Sequence, residues 1–114
     1  MKLTIFHTND IHSHLNTYAK ISQYIKDERS RCQHDTLYID IGDHIDLFHP
    51  LTEASQGREN VNILNDSHVD VVTIGNNEGM TISHDALNTL YDNAKFDVTC
   101  ANVFDERGQL PNNI

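Results

Sequence analysis

Three short runs of largely aliphatic residues, Leu3 to His7, Leu37 to Ile41 and Val69 to Ile74, each stop just before a polar cluster. The clusters are Asp10-Ile11-His12, Gly42-Asp43 and Gly75-Asn76-Asn77-Glu78. The runs are rich in residues that favour buried strands and too short to be helices. Read as three parallel core strands, they restrict the chain to an α/β fold, because parallel neighbours need long crossover connections. They also bring the three polar clusters to one edge of the sheet.

The segments between the runs carry the crossovers. Tyr18, Ile21 and Ile25 recur at helical spacing and predict an amphipathic helix from about His14 to Arg31. Residues 44 to 57 contain Pro50 and Gly57, which predicts a long loop leading into a short helix from about Arg58 to Ser67. Ala86, Leu87, Leu90, Tyr91 and Ala94 form a further helical stripe with Ser83 as its N-cap. A fourth strand is expected over Asp97 to Val103, followed by a turn-rich tail from Asp105 to Ile114. The pattern is βαβαβαβ. Its last strand has no successor to cover or pair the edge, so a truncated domain is expected.

Composition narrows the function classes. The 114 residues allow at most one domain of modest size. A formal charge of -9, from 17 acids against 8 Lys plus Arg, argues against a binder of nucleic-acid polymers, which needs a basic face. His7, His34, His49, His68 and His84 share no spacing that would make them one site. Cys32 and Cys100 are too few and too far apart for a zinc ribbon or a disulfide framework, which suggests a reduced, intracellular chain. The amino terminus lacks a signal-peptide apolar region and no run approaches the roughly 18 apolar residues of a membrane span. A cytoplasmic protein without a membrane partner is the expectation.

In an open α/β sheet the ligand crevice lies outside the carboxyl ends of the strands, where these clusters fall. Asp10 and His12, two residues apart, would face the same side of an extended segment and reach one ion. Each cluster alone is also an ordinary turn: Asp10 follows Asn9, Gly42 permits a sharp strand exit before Asp43, and Asn76 follows Gly75. Together they offer carboxylate, imidazole and amide donors, a set that suits manganese, zinc or iron better than copper. A two-metal hydrolase is one reading; an acidic α/β domain with coincidental turns is another.

Thr8-Asn9-Asp10-Ile11-His12, Gly42-Asp43 and Gly75-Asn76-Asn77-Glu78, followed by Ala101-Asn102-Val103, resemble the amino-terminal part of a calcineurin-like metallophosphoesterase domain. The family most resembled is the 5′-nucleotidases and 2′,3′-cyclic phosphodiesterases. The resemblance implies the amino-terminal half of a four-layer αββα sandwich, with residues 1–114 as a partial domain and further metal ligands and a substrate domain beyond them. It implies that Asp10 and His12 hold one divalent ion, that Asp43 bridges to a second, and that Asn76 binds that second ion. Manganese, zinc, iron or cobalt would serve, with a nucleotide or related phosphate ester as the small-molecule substrate. The family motif carries His where this chain has Asn77, and an orienting Asp where it has Met80. Asn77 can donate a hydrogen bond to phosphate but cannot deliver a proton, which leaves His14 and His44 as candidates to replace the missing acid. The competing expectation is a non-catalytic regulatory domain of the same fold that binds metal or nucleotide.

Overall fold

The computed structural model describes residues 1–114. Four strands, β1 (Leu3–Thr8), β2 (Asp35–Asp40), β3 (Val71–Thr73) and β4 (Asp97–Thr99), pair in parallel in the order β1-β2-β3-β4. Helix α1 (Leu15–Arg31) joins the first two strands, α2 (Pro50–Ser55) and α3 (Arg58–Asp66) join the next two, and α4 (His84–Leu90) leads to the last. A sheet whose strand order follows the chain, joined by right-handed crossovers, receives every connecting helix on the same face.

Burial along the strands agrees. Thr4, Phe6 and Thr8 of β1 turn toward the helices, whereas Leu3 and Ile5 remain about half exposed. The core between sheet and helices holds Tyr18 and Ile25 of α1, Val61 and Leu64 of α3, Leu87 and Leu90 of α4, and Tyr38 and Val72 of the sheet. The opposite face carries Leu3 and Ile5 beside Leu37, Ile39 and Val71, with no layer over it. One parallel sheet and one helical layer are thus present, as expected for the amino-terminal half of an αββα sandwich.

Several local expectations need correction. The loop over 44–57 contains α2, because Pro50 sits at the first helical position, where its missing N–H costs nothing, and the His49 ring accepts from Leu51 N. Gln56 and Gly57, both at positive φ, then turn the chain into α3. Helix α4 stops at Leu90 rather than Ala94, although Tyr91 stays buried against Phe96. Strands β3 and β4 are only three residues each, shorter than the expected Val69 to Ile74 and Asp97 to Val103. A π-helical turn at Asn77–Thr81, a form frequent at functional sites, had no sequence signal.

Candidate metal centre

The first three strand exits meet. Asp10 N donates to Gly42 O at 3.1 Å, His12 N to Asp43 O at 2.9 Å, and Ser13 N to His44 O at 2.9 Å, so the loop after β1 is laced to the loop after β2. The loop after β3 joins through Asn77 N, which donates to Asp43 Oδ1 at 2.8 Å.

This approach needs glycine on both sides. A Cβ on Gly42, whose φ is +95°, would lie 2.5 Å from Gly75 N, and one on Gly75 would overlap the Asp43 carboxylate. Asp10, His12, Ser13 and Asp43 also take positive φ, a conformation that costs a non-glycine residue roughly 1–2 kcal/mol. Asp10 and His12 therefore converge through a left-handed turn, not through the alternation of an extended segment expected from their spacing. The interloop hydrogen bonds hold that strain in place.

One ligand atom from each of Asp10, His12 and Asp43 falls within a 4.8 Å cluster. His12 Nε2 lies 3.5 Å from Asp10 Oδ1 and 3.9 Å from Asp43 Oδ2. Its other nitrogen, Nδ1, lies 2.9 Å from Asp46 Oδ2. An ionised carboxylate only accepts, so Nδ1 carries the proton and the Nε2 lone pair is left facing the two acids. The Asp46 hydrogen bond raises the His12 pKa, and the same bond holds the Asp46 carboxyl below its usual range. Two carboxylates and an imidazole with a fixed tautomer make a donor set that fits a divalent cation.

Glu78 braces the assembly from below. It is buried, and its carboxylate accepts from Asp43 N (3.0 Å), Gly75 N (2.9 Å) and Ile45 N (2.9 Å), joining two of the three loops. Burial pushes its pKa up, against the pull of those amides. A second buried network, Ser13, Thr52, Asn60 and His44, ties the loop after β1 to α2 and α3. A third carboxylate, Asp40, lies under the turn at Gly42 and ends a chain of hydroxyls from Tyr18 through Tyr38 and Thr8.

The remaining candidates are placed differently. Asn76 is exposed next to Asn77, and its Nδ2 donates to Asn77 Oδ1 at 3.2 Å. The Asn77 amide nitrogen is engaged with Ile45 O at 2.9 Å. His14 occupies the N-cap position of α1 without a side-chain capping bond and lies against Phe48, with ring centroids 5.5 Å apart. His44 is buried edge-on to Tyr18 at 4.6 Å, and burial lowers its pKa to about 4. A neutral ring enclosed in the core is not available as an acid at the cluster, which corrects the expectation for His44. Sequence reasoning gave no role to Asp46, which lies three residues past Asp43, or to Glu78, which figured only as the last residue of the third motif.

A parallel α/β sheet thus carries a carboxylate–imidazole cluster at its strand ends. The chain is 49% identical over 113 residues to a Bacillus subtilis protein described as the uncharacterized metallophosphoesterase YunD, covering 96% of this chain and 24% of that relative. No family model matches the chain. Its fold is similar to that of the NAD nucleotidase of Haemophilus influenzae, with a TM-score of 0.80 at 23% identity over 97% of this chain and 22% of the nucleotidase. It is also similar to that of a Staphylococcus aureus protein assigned as a 5′-nucleotidase, with a TM-score of 0.71 at 21% identity over 97% of this chain and 25% of that one. The chain thus spans about a quarter of the length of these relatives.

Proposed function

We propose that this chain is the amino-terminal part of a metal-dependent phosphoester hydrolase that acts on nucleotides or related phosphate esters. The observation that carries the reading is the Asp10–His12–Asp43 cluster with the His12 tautomer fixed by Asp46. In this reading Asp10 and His12 hold one divalent ion, Asp43 serves it and a second, and Asn76 Oδ1 joins the second. Manganese, zinc, iron and cobalt all accept such donors. Divalent ions at these positions supply an acidified water and positive charge for the phosphate oxygens. The chain's own residues set the ligand geometry: Glu78 holds the Asp43 backbone, Asn77 N and the paired glycines place the Asp43 carboxylate, and Asp46 orients the imidazole.

The open apolar face of the sheet, with Leu3 and Ile5 about half exposed, supports a second sheet packing there in the full-length protein. The test is manganese-dependent hydrolysis of nucleotides and simple phosphate esters by the full-length protein, with Asp43→Asn as control. Turnover that disappears in the control is expected. Metal binding without turnover on any ester would favour a regulatory domain, a reading for which the absence of an imidazole at position 77 is the specific support.

A further inference from the structure

We infer that Asn77 is a positioning residue that turns the Asn76 amide so that its oxygen, rather than its nitrogen, is left for a cation. The inference rests on the proposed role of Asn76 and concerns how this chain uses an amide where the resembled motif has a histidine.

The direction of each hydrogen bond follows from groups that can play only one part. Ile45 O is a backbone carbonyl and only accepts, so the Asn77 atom 2.9 Å from it must be the amide nitrogen. The other end of the same amide is then an oxygen, and only a donor can sit 3.2 Å from it. Asn76 therefore presents its Nδ2 to Asn77, which leaves Asn76 Oδ1 without a partner in this pair. An amide nitrogen cannot ligate a cation, whereas an amide oxygen can. Reversal of Asn76 would offer the site two N–H groups and no lone pair.

Asn77 also reaches the other half of the site. Its Nδ2 lies 3.2 Å from His12 Nδ1, the ring nitrogen that is bonded to Asp46. The Asn77 amide nitrogen faces both Ile45 O and His12 Nδ1. The side chain is thus spent inside the loops. Its backbone N–H, bound to Asp43 Oδ1, is unaffected by side-chain substitution, so the variants below leave that contact in place.

The test is a double-mutant cycle on manganese affinity in the full-length protein, read by titration calorimetry and by the electron paramagnetic resonance signal of free Mn²⁺. Asn77→Ala should weaken binding about 10- to 100-fold, the range for residues that orient ligands. In an Asn76→Asp background the same change should cost less than about threefold, because a carboxylate presents oxygen either way round. An equal loss in both backgrounds, or none in the natural sequence, overturns the inference. If Asn77→Ala does not fold, Asn77→Ser takes its place with the same expectation, since a serine cannot span Ile45 O and Asn76 at once. Asp43→Asn separates the two levels. Natural affinity in that variant would sink the site reading and the role of Asn77 with it, whereas lost affinity there with an unaffected Asn77→Ala sinks only the latter.

Discussion

Asp40 gives the strongest test of the energetics beneath the site. Its carboxyl is fully buried, accepts from Thr8 Oγ1 at 2.6 Å and Gly42 N at 3.1 Å, and has no cationic partner. Burial pushes its pKa from an ordinary 3.8 up to about 6. A raised carboxyl pKa means that the folded state holds its proton more tightly than the unfolded chain. Its stabilising contribution is present below pH 3.8 and is lost as the pH rises through about 6. The loss is about 3 kcal/mol in full, of which about 1.4 kcal/mol falls between pH 5 and pH 8. Asn at this position can keep both contacts: its oxygen accepts from Gly42 N, and its nitrogen donates to Thr8 Oγ1, whose proton then turns to the Tyr38 hydroxyl 3.1 Å away. Urea unfolding of the natural protein and Asp40→Asn in chelator, at pH 5 and pH 8, isolates this group from the other acids. The stability difference should move by about 1.4 kcal/mol in favour of the variant as the pH rises. A pH-independent difference, or one that moves toward the natural protein, would refute the claim that burial of an unpaired charge dominates here.

Other substitutions probe the lacing of the loops. Gly75→Ala should drive the Asp43 carboxylate out of place and lower manganese affinity by at least about tenfold, a loss that calorimetry would detect. Glu78→Gln puts an NH₂ group where a backbone N–H now donates and should destabilise the fold by about 2–4 kcal/mol in urea unfolding, from lost charge-assisted bonds; a change under about 0.5 kcal/mol would dismiss the bracing role. Asp46→Ala should lower the His12 pKa, visible by NMR titration of its ring, and weaken manganese binding about 10- to 100-fold through loss of the fixed tautomer. An unchanged His12 titration in that variant would mean that the hydrogen bond does not set the ring's basicity.

Strand identity, parallel order and the convergence of three loops were legible because they rest on composition and chain order, which operate over whole segments. Asp10, His12 and Asp43 were legible for the same reason, as polar residues at strand ends. The route by which they converge was not. Positive φ at Asp10, His12, Ser13 and Asp43 has only a weak signature in residue type, since Asp and His tolerate it better than most residues but none is glycine and the surrounding hydrogen bonds decide it. Pro50 misled in a different way: the residue that breaks a helix interior also begins one, and only the His49 contact to Leu51 decides between the two.

Asp46 and Glu78 show why local pattern under-reports a site of this kind. Asp46 lies just past one recognisable motif and Glu78 ends another, and by sequence each is as plausible on a solvated turn. What distinguishes them is the partner that the fold delivers: an imidazole nitrogen from 34 residues away for Asp46, and amides from two separate loops for Glu78. His44 is the converse case. It directly follows Asp43, yet its backbone joins the site while its ring enters the core against Tyr18 and Asn60. Adjacent residues on a left-handed turn therefore serve opposite sides of the sheet end, one presenting charge to the cluster and the other a neutral ring to the interior. Proximity in sequence selects the loop, and backbone conformation selects which of its side chains take part in the chemistry.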